Sequence, residues 1–158
     1  MPVSAALPSR IALIGFMGSG KSTVGRILAR SLGYGFVDLD SEIEKHEGMS
    51  IPRIFEERGE QAFRRREAEA VAALAGRTRI VIAAGGGAPL QEGNRRFFAE
   101  MCACFHLKVS LATALSRTGS GAGRPMLAGG EEAARALYSE RLPRYRGLGT
   151  EPEATWTV

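Results

Sequence analysis

At 158 residues the chain has the length of one domain and enough residues to bury a core of its own. Its 44% hydrophobic and 24% charged residues are those of an ordinary globular protein, and no apolar run approaches the roughly 18 residues of a membrane-spanning helix. The formal charge of +4, from 21 Lys and Arg against 17 Asp and Glu, includes no basic run interleaved with aromatics, so it suits anionic small substrates as well as nucleic acid.

Residues 1–9 carry neither the charged start nor the apolar stretch of a secretory signal, so a cytoplasmic protein is expected. The short apolar run 10–14 reads as a strand, and 24–32 repeats its apolar residues at helical spacing. Between them stands Gly15-Phe16-Met17-Gly18-Ser19-Gly20-Lys21-Ser22-Thr23, a G-x-x-x-x-G-K-S phosphate-binding loop. Each residue type has a physical reason. Gly18 and Gly20 let the backbone approach a ligand with its N–H groups pointing inward, around Ser19, and the following helix adds the partial positive charge of its N-terminus. Lys21 can bridge terminal phosphates, Ser22 can ligate the accompanying Mg2+, and Thr23 is the next polar residue in. A nucleotide ligand is expected.

Gly33 is a natural helix end, and 34–38 reads as a second strand. Asp38 and Asp40, two apart at its close, are expected to point together toward the edge where ligands of parallel sheets bind, near the metal. Ser41-Glu42-Ile43-Glu44 has the form of a capping box and is expected to start a helix. Ser50 and Pro52 suit the start of another helix, which Gly59 stops. A helix over about 60–75 follows and carries Arg64, Arg65 and Arg66; periodicity leaves open which of them faces inward, and favours a surface place for any one. An inward guanidinium would suit a carboxylate.

The continuous apolar run 80–84 reads as a central strand buried on both faces. Gly85-Gly86-Gly87 ends it, and three glycines there point to close backbone approach to a ligand. A helix over 91–101, a strand over 103–109 and a short helix capped by Ser110 and running to about 117 come next. Cys102 and Cys104, two apart, are expected to be reduced and buried on one side of that strand, because no further Cys or His stands at ligand spacing. His46 and His106 carry no partner signal. The segment 117–130 is rich in glycine, with Arg117 and Arg124 at the ends of its glycine-rich part, and reads as a lid. A helix over 131–145 carries Arg141, and 154–158 reads as a last strand. The alternation of strand and helix implies one α/β domain over 1–158, with about five parallel strands and helices on both faces.

Taken together, these motifs resemble the shikimate kinase family over nearly the whole chain. The loop Gly15 to Gly25, the Asp38-Leu39-Asp40 segment, the Gly59-Glu60-Gln61-Ala62-Phe63-Arg64-Arg65-Arg66-Glu67 helix, the Gly85 triplet, Arg124-Pro125-Met126-Leu127 and Arg141-Leu142-Pro143-Arg144-Tyr145 carry the likeness in one order. The resemblance implies a P-loop kinase of nucleoside-monophosphate-kinase-like architecture, with substrate-binding helices over about 41–75 and a lid over about 117–130. It implies transfer of a phosphoryl group from ATP to the 3-hydroxyl of shikimate, on the route to chorismate and the aromatic amino acids. Lys21 would hold the β- and γ-phosphates, Ser22 would bind Mg2+, and Asp38 would support the metal through water. Asp40 would bind substrate hydroxyls and take the proton. Arg64 and Arg141, with the Gly86 and Gly87 amides, would hold the substrate, the arginines gripping its carboxylate. Arg124 would close over the phosphates, and Arg117 would lie along the adenine. The implied partners are ATP and shikimate alone, for a monomer with no nucleic-acid or membrane partner. Kinases of gluconate or of nucleoside monophosphates, and a nucleotide-dependent switch without turnover, share the phosphate loop. The paired carboxylates and arginines argue against the switch, which needs no polyol and carboxylate pocket; a base-stacking pocket would mark a nucleotide kinase, and a carboxylate grip beside an aspartate marks shikimate, so the other kinases stand as alternatives.

Overall fold

The computed structural model describes residues 6–118 and 125–151. Strands β1 (Arg10–Ile14), β2 (Gly35–Asp38), β3 (Ile80–Ala83) and β4 (Ala103–His106) form one parallel sheet in the order β2-β3-β1-β4. The sheet therefore has four strands among the described residues, where about five were expected. The expected strand over 154–158 lies outside the described residues, and a single parallel bridge pairs Phe105 with Thr150. β3 is buried along its whole length, as a central strand with both faces covered must be.

Helices cover both faces. On one, α1 (Lys21–Leu32) lays Ala29, with Leu28 and Leu32, over Ile11, Leu13 and Val81. On the other, Ala12, Ile14, Val37, Ile80 and Ile82 meet apolar residues of α2 (Leu39–Glu47), α3 (Ile51–Ala73), α4 (Glu92–Met101), α5 (Leu111–Thr118) and α6 (Gly130–Arg146). No helix among the described residues is long and apolar enough to cross a membrane.

The register decides where ligands can sit. Leu13 of β1 and Asp38 of β2 both pair with Ala83 of β3, so the three carboxyl ends finish level. The glycine loop after β1, Asp38 ending β2 and the glycine triplet after β3 thus emerge along one edge.

Two local expectations are corrected, the start of the helix after β2 and the end of β4. The helix after β2 begins at Leu39, not at Ser41: Asp38 is its cap and accepts a hydrogen bond from the Ser41 N–H at 3.3 Å. Asp40 is therefore in the first helical turn rather than on a strand, and alternation is not what aligns it with Asp38. The remaining half of the expected capping box goes elsewhere, since Glu44 accepts from the Ile51 N–H at 2.9 Å and holds the start of α3. The break expected at Gly59 is present: the backbone leaves helical geometry there, at φ 80° and ψ 170°, with helix on both sides within α3. Finally, β4 ends at His106, short of residue 109, and turns Cys104 and His106 inward while Cys102, just before it, is half-buried. Both cysteines are unbridged; burial pushes the Cys102 thiol up to about 12 and the Cys104 thiol up to about 11, which disfavours the thiolate.

Candidate active site

Along the edge where β1, β2 and β3 end lies a cavity of about 550 Å³. Gly18, Gly20, Lys21, Ser22, Thr23, Asp38, Asp40, Arg64, Gly86, Gly87 and Arg141 all line it, although they come from five separate stretches of chain. Ser19 and Arg117 stand beside it. Arg124 lies outside the described residues, while its neighbour Pro125 lines the cavity.

The phosphate loop needs its glycines for two different reasons. Gly18 (φ 73°) and Gly20 (φ 89°) adopt left-handed backbone, and a Cβ on Gly18 would come within 2.9 Å of the Ala114 carbonyl oxygen. Lys21 folds back over the loop, donating from Nζ to the Gly15 and Phe16 carbonyls at 2.9 Å each and approaching Ser19 Oγ at 3.4 Å. Its ammonium is thereby held over the concavity formed by the loop. The Ser22 hydroxyl donates to Asp38 Oδ2, which ties the start of α1 to the end of β2. Arg117 donates from Nη1 to the Gly18 carbonyl at 3.1 Å, on the side of the loop facing α5.

The far end of the cavity is made of charged side chains. Arg64 projects from α3 and reaches Glu67 one turn on, with Nη1 2.9 and 3.1 Å from its two carboxylate oxygens; Nη2 donates to Glu60 at 3.2 Å. Arg64 also lies over the Phe63 ring at 5.2 Å. Arg141, on α6, is 6% exposed, and Glu67 is 1% exposed. Burial raises the Glu67 carboxyl above its ordinary range, with Asp40 adding to the rise and Arg64 and Arg141 opposing it.

The triplet fits among these groups with no room to spare. A Cβ on Gly85 would lie 2.5 Å from Asp40 Oδ1, and one on Gly87 2.8 Å from Arg64 Nη1 and 3.2 Å from Arg141 Nη2. A Cβ on Gly86 would meet Arg141 Nη1 at 3.1 Å. Tyr145, one turn beyond Arg141, donates from its hydroxyl to the Gly86 carbonyl at 2.5 Å, and burial pushes that phenol up to about 12. Phe55 and Phe63 wall the cavity with ring centroids 4.9 Å apart, and Phe63 belongs to the core as well.

Of the three adjacent arginines, the structure turns Arg64 into the cavity, leaves Arg65 exposed and pairs Arg66 with Glu47 and Glu69. Two acidic groups of the cavity, Glu44 and Glu67, are not among the site residues expected from sequence. The position of Glu67 three residues after Arg64 on a helix is the signal that pairs them. For Glu44 the sequence pointed to Ser41 instead.

A family model described as Shikimate kinase matches residues 17–152. The chain belongs to the shikimate kinase family. The shikimate kinase of Methylococcus capsulatus is 46% identical over 140 residues, which are 87% of this chain and 78% of that protein. The solved structure of shikimate kinase from Acinetobacter baumannii in complex with shikimate is 39% identical, with a TM-score of 0.89, and the match covers 96% of this chain and 86% of that one. A deoxyadenosine kinase from M. mycoides with bound dATP matches at a TM-score of 0.58 and 18% identity, over 94% of this chain and 93% of that one, a likeness of fold alone.

Proposed function

We propose that this enzyme, as a shikimate kinase, transfers a phosphoryl group from ATP to the 3-hydroxyl of shikimate. One observation carries the reading at the level of residues: a single cavity joins a phosphate loop to a pair of guanidinium groups, Arg64 and Arg141, with Asp40 in the same cavity against Gly85. Phosphoryl transfer asks chiefly for in-line placement and for cations where negative charge develops. Gly18, Ser19, Gly20 and Thr23 cradle the phosphates, and Lys21 leaves the loop carbonyls to reach the β- and γ-oxygens. Arg124 adds charge from the lid, and Arg117 borders the adenine.

The acceptor is held through both ends. Arg64 and Arg141 grip its carboxylate by charge-assisted hydrogen bonds, the Gly86 and Gly87 backbone borders it, and Asp40 orients its hydroxyls and accepts the proton of the attacking one. Ser22 and Asp38 form the donor set for Mg2+: one hydroxyl and one carboxylate, already in contact, match a cation that keeps several waters and takes few protein ligands beside phosphate oxygens. Bound there, Mg2+ would neutralise charge on the phosphates. The reading further places the enzyme in the cytoplasm as a monomer, with ATP and shikimate as its partners.

A coupled ADP-release assay with ATP and Mg2+ tests it, with shikimate, gluconate and AMP run side by side. Shikimate-dependent ADP formation is expected. ADP formation with gluconate or AMP and none with shikimate would overturn the assignment.

A further inference from the structure

Away from the cavity, where the end of α2 meets α3, one carboxylate occupies an unfavourable place. Glu47 is the last residue of α2, where the helix dipole opposes a negative charge, and its side chain is only 4% exposed. It is held there by two guanidinium groups. Arg58 donates from Nη1 to Oε2, and Arg66 Nε lies 2.7 Å from Oε1. The His46 ring nitrogen Nδ1 sits 3.2 Å from the same Oε1, and Arg66 is oriented in turn by Glu69 at 2.8 Å. Burial raises the Glu47 carboxyl, but His46, Arg66 and Arg58 outweigh it and hold the group below the usual carboxylate range.

The two arginines stand on opposite sides of the kink. Arg58 is the last residue before Gly59 and Arg66 lies beyond it, so a single carboxylate bridges the halves of α3. Those halves supply different walls of the cavity: Ile51 and Phe55 come from the first, Phe63, Arg64 and Glu67 from the second. At Gly59 the backbone leaves helical geometry, so the helical hydrogen bonds alone do not set the angle between them. The Phe55–Phe63 contact spans the kink on the cavity side.

We propose that Glu47 is a positioning residue, a latch that fixes the kink of α3 through Arg58 and Arg66 and so sets the distance between the Phe55 wall and the Arg64 guanidinium. It touches neither substrate. The inference rests on the acceptor site proposed above, and it predicts an effect confined to that site, because the phosphate loop belongs to β1 and α1.

The test compares wild type with Glu47→Gln, Arg58→Gln and the double variant in the ADP-release assay, beside hydrogen exchange of the unliganded proteins. Each single variant is expected to raise the KM for shikimate about five- to tenfold while the KM for ATP stays within about twofold. The double variant should do little more than the worse single one, since both substitutions open the same latch. Exchange around residue 59 should quicken while β1 and α1 stay protected. A lower melting temperature with both KM values unchanged would reduce Glu47 to a stabilising role and sink the proposal, as would an equal rise in both. If wild type shows no shikimate-dependent turnover, the functional reading fails instead. Exchange that is unchanged around the kink then overturns the latch on its own.

Discussion

On the proposed reading, the two ends of the cavity would hold anions by different means. At the phosphate end nine consecutive residues, Gly15 to Thr23, present backbone and one ammonium, and the shape follows from glycine backbone angles and the turn into α1. At the other end Asp40 from α2, Arg64 and Glu67 from α3 and Arg141 from α6 meet as charged side chains around the Gly85 triplet. A backbone cradle is local: it forms wherever strand, loop and helix form. A cluster of buried charges is not, because each member needs its counter-charges in place and three helices must deliver them. The phosphate end should therefore respond to changes within the loop alone, and the acceptor end to changes in any of the helices.

Lys21→Ala is the largest break to make in this contrast. Removing the one ammonium over the loop is expected to lower kcat by about 10³-fold, with the KM for shikimate changed little, because the lost charge acts on the developing negative charge. Arg64→Ala should do the reverse. The KM for shikimate is expected to rise about 30- to 100-fold, the scale of one charge-assisted pair, with the KM for ATP nearly unchanged. Steady-state kinetics with each substrate varied separately reads both. Equal losses for the two substrates in the Arg64 variant would mean that the ends are not independent.

The same contrast explains what could be read from sequence. The loop, the buried run of β3 and the break at Gly59 depend on near neighbours, and each is in place. The start of α2 was misplaced because two residues compete for it: Asp38 and Ser41 are both good caps, and only the point at which β2 leaves the sheet chooses Asp38. The choice among Arg64, Arg65 and Arg66 was illegible for a deeper reason. Helical spacing sends them in three directions, and which direction is the cavity depends on Gly87 and Arg141, far away in the chain. The contact of Glu47 with Arg58 crosses from one helix to the next and the one with Arg66 crosses the kink as well, so no periodicity contains them.

A matched pair of glycine substitutions sharpens the comparison at smaller amplitude. At Gly87, with φ −93°, an added Cβ strains no backbone but crowds the mobile ends of Arg64 and Arg141. Gly87→Ala should raise the KM for shikimate about tenfold and leave the melting temperature within about 2 °C. At Gly18, with φ 73° and the Ala114 carbonyl in the way, the added methyl strains the backbone itself. Gly18→Ala should cost about 1 kcal/mol or more of stability and weaken ATP, with shikimate spared. If both variants lose the same substrate, the division of the cavity is wrong.

The smallest expected effect is a slope with pH, and it belongs to the acceptor end. Because burial raises the Glu67 carboxyl above 4.5, the folded protein binds its proton more tightly than the unfolded chain does. The contribution of Glu67 to stability is then fully present below about pH 4.5 and is lost as pH rises through the folded pKa. Urea unfolding of wild type and Glu67→Gln, followed from pH 4.5 upward, should show wild type losing ground to the variant as pH rises. The opposite slope would mean that Arg64 and Arg141 overcome burial and hold Glu67 ionised. In that case the acceptor end would be a balanced salt-bridge network before any substrate arrives, and the carboxylate of shikimate would have to displace Glu67 from Arg64 rather than join it.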